Sequence, residues 1–438
     1  MKLRIFQSHK GDCVLLESQD GRQVLCDGGM SASMTAFVAP VLSRLRSARK
    51  TLDVVYVSHI DQDHISGVLR LLRDEVEWRI FDYRRRTRHP RAIKPARPRP
   101  PEIGGIWHNS FRDQVRDNDG RIEALLAATT PALLATGIPA LREMGEAVYD
   151  IATSIPEALE VSGLAGPGLL DIPINRLPGA PGPARLLMAR PGQAAVRIGS
   201  LALTIVGPGD DELEQLREGW NTWLRENGER VDAINDELTR RLEDLGARAP
   251  AGPLLDLGTW NGMPDFKGVT VPNIASLMLL VEEDGKRVLL TGDSQQDIIL
   301  RGLRAAGLLG TAGLHVDVLK VQHHGSEHNL DVEFARQVSA DHYVLCGNGE
   351  HDNPDLGVLR TIAASRLGPD PAARALAPRA AGRRFTLWFS CTPAKGTTSA
   401  RGRAHMEKVD TLVRQLARTS RGLMRVRVNA NRFVTLSV

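Results

Sequence analysis

At 438 residues the chain can form one large domain or two to three smaller ones, and 42% hydrophobic residues suffice for a substantial core. The formal net charge of +4 excludes a uniformly acidic or basic protein. No stretch approaches the roughly 20 apolar residues of a membrane span, and the N-terminus has no long apolar signal segment. We therefore expect a cytoplasmic protein without a membrane partner. The four cysteines form no Cys-x-x-Cys pair, which predicts buried, reduced thiols.

The N-terminal part predicts a layered α/β architecture. Apolar residues alternate as in strands up to Cys26, residues 31–50 have a helical pattern, and residues 53–58 read as a buried strand. A second helix follows, and a short strand is expected around Trp78–Phe81. Such alternation of strands and helices is typical of a protein whose sheets are covered by helices.

The most informative stretch comes at the end of the buried strand. Val54-Val55-Tyr56-Val57 is followed at once by His59, Asp61, Asp63 and His64. Carboxylates this close repel each other, and burying one without a partner is costly. A divalent cation removes both problems. The alternative is a polar turn with an aspartate capping the next helix, but capping explains neither histidine.

This stretch, Ser58 to Gly67, resembles the His-x-His-x-Asp-His signature of metallo-β-lactamase-fold hydrolases, with Asp61 in place of the second histidine. The variant is similar to the hydrolase domain of DNA-uptake competence proteins of the ComEC type. The resemblance covers roughly residues 1–82, 197–210 and 270–362. It implies an αββα sandwich, and it implies that Asp63 both binds metal and positions the attacking hydroxide.

The resemblance also assigns roles to residues outside this signature. Asp27, in an Asp-Gly-Gly turn after a strand, would support the metal site, although a simple tight turn with glycines at positive φ is compatible with the same residues. Asp293, in Thr-Gly-Asp after a predicted hairpin strand, would bridge two metals. His351 would be a site residue, but Asp-Asn separates it from the expected proline, so a loop histidine is the alternative.

Twin histidines follow another predicted strand, Val316 to Val321. The resembling group has His-His-Gly-Ser here, which implies that one of His323 and His324 binds metal and that the other touches substrate or supports the site. The sequence leaves the assignment open, with a slight preference for His324 as the ligand. In this scheme the other histidine protonates the leaving oxygen, and Ser326 helps to orient a phosphate.

One expected histidine ligand is missing, because Asn273 and Ser276 stand where most of these hydrolases have an imidazole. Asn273 could orient phosphate instead. The first metal would then be held by His59, Asp61 and Asp293. The second would be held by the remaining ligands: Asp63, His64, Asp293 and one of the twin histidines. Two divalent cations are expected, and oxygen ligands shift the preference from Zn²⁺ towards Mn²⁺ or Mg²⁺.

Basic residues are concentrated in two segments. Eight of residues 84–99 are Arg or Lys and none is acidic, which predicts an exposed irregular loop. This loop could contact phosphate, could be cut by a trypsin-like protease, or could merely be solubilising. From Arg401 onward, nine Arg or Lys residues stand against two acids. Both segments supply counter-charge for a polyanion.

The composition divides the chain into four segments. These are the first part of the hydrolase domain, 1–83; a basic loop and mostly helical insertion, 84–196; the second part of the hydrolase domain, 197–400; and a basic C-terminal helix and hairpin, 401–438. Within the insertion, helical pieces are expected at 121–128 and 140–152, and they would wall or cover the active site. Residues 211–246 predict a pair of amphipathic helices.

The sequence favours a metal-dependent phosphodiester hydrolase, in particular a sequence-tolerant nuclease that uses a metal-bridging hydroxide and acts on DNA rather than RNA. An activating protease that cuts the basic loop is a further expected partner. Two alternatives are open. One is a small-molecule metallohydrolase for a lactone, thioester or phosphoester, which needs no basic loop. The other is a regulatory partner with a vestigial site.

Overall fold

A computed structural model describes residues 1–109, 157, 160–226, 272–397 and 399–438. The strands are β1 Lys2–Phe6, β2 Val14–Glu17, β3 Gln23–Cys26, β4 Val54–Val57, β5 Ile106–His108, β6 Val196–Ile198, β7 Leu201–Gly207, β8 Met278–Glu283, β9 Lys286–Leu290, β10 Leu314–Lys320, β11 Val338–Leu345, β12 Phe385–Phe389, β13 Met424–Val428 and β14 Phe433–Ser437. The main helices are α1 Ala39–Ser47, α2 Gln62–Arg86, α3 Asp210–Glu226, α4 Gln296–Ala305, α5 Val332–Gln337, α6 Leu356–Leu367 and α7 Ala400–Thr419. Short helical turns at Ser31–Ser33 and Met34–Val38 precede α1, so the predicted helix over 31–50 is confirmed in type.

The strands form two sheets. One has the order β14-β1-β2-β3-β4-β5, and the other has the order β13-β12-β11-β10-β9-β8-β7-β6. Strands β3 to β5 are parallel to one another, as are β9 to β13. Parallel strands place their carboxyl ends at the same edge of a sheet. Polar residues that follow β4, β9 and β10 can therefore gather at one edge of the molecule.

The two sheets pack face to face, and helices cover their outer faces. Along β4, Val54 and Tyr56 lie in the apolar core between the sheets, while Val55 and Val57 belong to the core shared with the helices. All four are buried, because a strand covered on both faces needs apolar side chains in both directions. The Tyr56 hydroxyl donates to the carbonyl of Leu277, which ties the sheets together. The predicted αββα sandwich is confirmed.

The strand expected around Trp78–Phe81 is wrong, because these residues lie inside α2. Ion pairs one turn apart, Arg70 with Asp74 at 2.5 Å and Arg79 with Glu75 at 3.5 Å, support the helix through this region. The irregular basic loop also begins later than expected. Residues 84–86 form the last turn of α2, where cationic side chains interact favourably with the helix dipole.

The expected C-terminal hairpin is also wrong. Strand β13 pairs in parallel with β12 in the eight-stranded sheet, and β14 pairs antiparallel with β1 in the six-stranded sheet. Between β13 and β14 the chain crosses from one sheet to the other. The C-terminal segment therefore contributes one edge strand to each sheet. Strand β5, which lies in the segment assigned to the insertion, joins the first sheet.

Several expectations concern residues outside the described part. These are the helical pieces at 121–128 and 140–152 and the second of the two amphipathic helices, beyond residue 226. The first of that pair is confirmed as α3. All four cysteines are buried and unpaired, as expected. Within the described ranges, every helix is too short or too polar to cross a membrane.

Candidate metal centre

Asp293 lies at the centre of the polar cluster, directly after β9. Its Oδ2 atom is 3.2 Å from His324 Nε2 and 3.3 Å from His64 Nε2. His59 Nε2 and His323 Nε2 lie slightly farther from the same oxygen, at 4.0 and 3.9 Å. Four imidazoles from two sheets therefore converge on one carboxylate oxygen, although Asp293 is more than 200 residues from His64 in the chain.

Two further carboxylates belong to the same group of side chains. We call this group the inner ring; it consists of His59, Asp61, Asp63, His64, Asp293 and His324. Asp63 Oδ2 lies 3.1 Å from His324 Nε2, and Asp63 Oδ1 lies 3.8 Å from His64 Nε2. Asp61 Oδ2 lies 3.4 Å from His59 Nε2. The structure thus brings together all six residues predicted as metal ligands.

The inward-facing orientation of the imidazoles is set by contacts of their other ring nitrogens. His59 Nδ1 is 3.0 Å from the Ser58 hydroxyl, and His64 Nδ1 is 3.1 Å from Asp27 Oδ2. His324 Nδ1 is 3.1 Å from Asp12 Oδ1. Metal-binding histidines commonly have such a partner, which fixes the tautomer and leaves Nε2 for the metal.

Close packing explains why Asp27 is followed by two glycines. The turn lies against the first turn of α2, where Gly67 N donates to Gly29 O at 2.9 Å. A Cβ atom on Gly28 would lie 2.3 Å from the backbone nitrogen of the residue after Gly67, and Gly29 has a φ of +63°, so a side chain is disfavoured at both positions. Asp27 itself accepts from the Ser58 backbone N–H at 2.7 Å. The two interpretations of this turn are therefore compatible, since it is both tight and in contact with His64.

The twin histidines occupy different environments. His324 is almost completely buried, whereas the side chain of His323 is 33% exposed. His323 Nδ1 is 2.8 Å from Asn329 Oδ1, and the Asn329 amide nitrogen donates to the carbonyls of Asp293 and Ser294. The geometry favours His324 as the ligand and places His323 on the solvent side of the cluster.

The residues fit a divalent cation. Within the described part of the chain, no hydrogen bond reaches His59 Nε2, His64 Nε2 or Asp61 Oδ1, although all three atoms are buried. Asp12, His64, Asp293 and His324 also place potential ligand atoms within 4.8 Å of one another. Buried polar atoms are seldom left unpaired, and imidazole with carboxylate is a suitable donor set for a divalent metal.

Sequence reasoning missed Asp12 and Lys320. Lys320 is the last residue of β10 and is buried; its ammonium contacts Asp12 Oδ2, Asp293 Oδ1 at 3.3 Å and the Gly292 carbonyl at 3.0 Å. In the sequence, Asp12 follows Gly11, and this pair indicates only a turn between two strands. Because Asp12 contacts the outward nitrogen of His324 and Lys320, we regard it as a support of the centre rather than a ligand. The sequence signal that could have identified Lys320 is a lysine at the end of an apolar strand, shortly before two histidines.

The charged groups of the cluster shift one another's pKa values. Burial alone would raise the pKa of Asp12, but Lys320 and His324 hold that pKa at about 2. Burial alone would lower the pKa of His324 and of His64, but the carboxylates, Asp293 foremost, raise both well above the ordinary value. Protons on these imidazoles therefore balance the carboxylates, and a metal cation that binds here must displace them.

Three further residues, Asn273, Ser326 and His351, were predicted to contact substrate or to support the site. Ser326 is buried and its hydroxyl accepts from the His328 backbone N–H at 3.3 Å. The Asn273 carbonyl accepts from the Ser276 hydroxyl at 2.8 Å, and Ser276 in turn accepts from the Asp293 backbone N–H. His351 is exposed in the turn Glu350–Asp352. Their roles towards substrate stay predictions.

Residues 9–76 match the family model of the metallo-beta-lactamase superfamily. Together with the two-sheet sandwich, the match shows that the chain has the metallo-β-lactamase fold. The matched segment includes Asp12 and Asp27 as well as the polar cluster that begins at His59. A search of curated proteins finds no match. With the two-sheet sandwich and the buried Asp/His cluster, the match indicates a metal-dependent hydrolase.

Proposed function

We propose that this metallo-β-lactamase domain is a phosphodiesterase, more specifically a sequence-tolerant cytoplasmic nuclease that prefers DNA to RNA. The observation that carries the proposal is the oxygen-rich cluster, in which Asp61, Asp63 and Asp293 share the inner ring with imidazoles. Hard oxygen ligands suit cations that bind phosphate. The resemblance to ComEC-type hydrolase domains supports the same class of substrate.

In this proposal two cations would bind in the inner ring. His59 and Asp61 would hold the first, and Asp63, His64 and His324 would hold the second, with Asp293 shared between them. Such cations lower the pKa of a water molecule and neutralise the charge of a phosphate. Asp63 contributes the carboxylate that orients the attacking water. Asn273, Ser326 and His351 are candidate contacts to substrate.

His323 is suited to proton transfer at its Nε2 atom. The Asn329 amide nitrogen donates to two backbone carbonyls, which turns the amide oxygen towards His323. His323 Nδ1 therefore carries a proton, and this N–H donates a hydrogen bond to the Asn329 amide oxygen. Nε2 faces Asp293 from the partly exposed side, so it is the atom that can give a proton to a leaving oxygen.

Metal-stripped protein tests this proposal when plasmid DNA is added with one cation at a time. We expect no cleavage with chelator, and faster cleavage with Mn²⁺ than with Zn²⁺, because Asp61 replaces an imidazole. Mg²⁺ should also support activity. Strong activation by Zn²⁺ with inactive Mn²⁺ would contradict the metal assignment. Turnover of small phosphoesters, lactones or thioesters without any cleavage of DNA or RNA would favour a small-molecule hydrolase instead.

An activating protease is a second proposal for this site. In this proposal a protease cuts between Arg84 and Arg91. The cut would free one end of the insertion, and activity would rise if the insertion then no longer covered the site. The chain after this point is, however, anchored to α2, since Arg97 contacts Asp74 at 3.5 Å and Arg99 contacts Glu75 at 3.2 Å.

Limited trypsin digestion separates these possibilities. Because of the anchoring contacts, we expect the nicked protein to stay together in gel filtration, with the cut mapped by mass spectrometry. DNA cleavage is then measured before and after nicking. A gain in activity would support control by a protease, whereas unchanged or reduced activity after a clean cut would end that proposal.

A further inference from the structure

Helix α2 connects the metal centre to a remote part of the surface. It contains 25 residues, and its first turn carries Asp63 and His64. Residues of its N-terminal half are mostly buried, whereas the last turns, from residue 83 onward, are exposed. With a rise of 1.5 Å per residue, the axis from Gln62 to Arg86 is about 36 Å long. The helix therefore ends far from the cluster at which it begins.

The basic segment after α2 folds back along the helix, and part of its charge is used in this packing. Arg99 contacts Asp82 at 2.5 Å as well as Glu75, and the Trp78 indole donates to the Arg97 carbonyl at 3.0 Å. Lys94 lies over the Trp78 ring at 5.8 Å. The helix end and the returning segment, residues 77–99, thus form an arm with its own internal contacts.

The remaining arginines are displayed at the tip of this arm. Arg84, Arg86, Arg88 and Arg91 are exposed, and among the described contacts none of them pairs with a carboxylate. Arg84 instead donates to the Arg91 carbonyl at 3.4 Å. Four like charges gathered without acidic partners repel one another. Binding of an anion at the tip reduces this repulsion and is therefore favourable.

We propose that the tip of the arm binds the phosphate backbone of a nucleic-acid duplex whose scissile bond lies at the metal centre. This inference deepens the proposed function and rests on it. A small phosphoester cannot span about 36 Å, so the tip can assist only a polymer. At 3.4 Å per base pair, a duplex must be about 11 base pairs long to reach from the centre to the tip.

The test measures the affinity for DNA as a function of duplex length. Labelled duplexes from about 6 to about 30 base pairs, with a backbone that resists hydrolysis, are titrated with Mn²⁺-loaded protein, and anisotropy is recorded. For wild type we expect affinity to rise at least about tenfold between about 8 and about 16 base pairs. The quadruple variant R84Q/R86Q/R88Q/R91Q should lose this rise. The slope of its log affinity plotted against log salt concentration should be smaller in magnitude by about 3 to 4.

A matched control removes four exposed arginines from the C-terminal segment, R403Q/R418Q/R421Q/R425Q. This variant should keep the rise in affinity with length. Thermal unfolding of both variants should match wild type, because the substituted side chains are exposed. If the control loses the rise and the tip variant keeps it, the C-terminal segment binds DNA and the proposal is overturned.

The remaining outcomes are also decisive. Affinity independent of length in wild type overturns the arm proposal even if short duplexes are cleaved with Mn²⁺. Length-dependent binding without cleavage of any nucleic acid supports the arm and contradicts the proposed nuclease. Exposed Tyr83 and Ile93 at the tip make anionic vesicles a necessary comparison. A tip variant that loses vesicle binding, while binding DNA as wild type does, would assign the tip to a membrane surface and overturn the proposal.

Discussion

Replacing Asp293 with asparagine is expected to reduce hydrolysis at least about a thousandfold, which corresponds to about 4 kcal/mol of transition-state stabilisation. The substitution keeps the shape of the side chain but removes its negative charge. Asp293 Oδ2 lies 4.0 Å from His59 Nε2 and still closer to the Nε2 atoms of His64 and His324. Loss of this charge should weaken every metal position that shares the carboxylate.

The measurements are the cleavage rate, the metal content after dialysis, and circular dichroism to confirm the fold. Asp341→Asn provides a matched control, since Asp341 also contacts a buried histidine, His315 at 3.1 Å, away from the cluster. That variant should lose some stability and keep its metal content. An Asp293→Asn protein with wild-type metal content and rate would refute the assignment of the centre.

Replacing Lys320 with methionine is expected to lower the free energy of unfolding by about 3 to 5 kcal/mol, measured in urea with chelator present. The substitution keeps the apolar stem and removes the ammonium. Asp12 and Asp293 would then lose one of the two cationic groups that both contact, and the imidazole of His324 would be left as the other. Removing one partner from a buried network of ion pairs is far more costly than losing a surface ion pair.

Two further variants make this result interpretable. Lys286→Met removes a half-exposed lysine that contacts Asp317 at 3.1 Å, and it should cost at most about 1 kcal/mol. Asp12→Asn combined with Lys320→Met should recover part of the lost stability, because one of the two carboxylates that lost the ammonium is then neutral. If Lys320→Met unfolds like wild type and binds Mn²⁺ with unchanged affinity, Lys320 has no part in organising the centre.

The sequence by itself was sufficient for the parts of the centre that follow strand ends. His59 to His64 come directly after the apolar run of β4, and Asp293 and His324 come after β9 and β10. An abrupt change from apolar to polar residues is a local signal, so it can be recognised without knowing which strands pair. The αββα architecture was predictable for the same reason, with the help of the family resemblance.

Only the tertiary structure decided which residues support the centre and how far it extends. Asp12 contacts His324 across 312 positions of sequence, and β13 and β14 enter different sheets although they are neighbours in the chain. Trp78 to Phe81 were expected to form a strand and instead continue α2, which places the basic tip about 36 Å from the cluster. Local periodicity reports which face of an element is apolar. It does not report the long-range pairing that sets these distances, because pairing depends on packing between elements far apart in sequence.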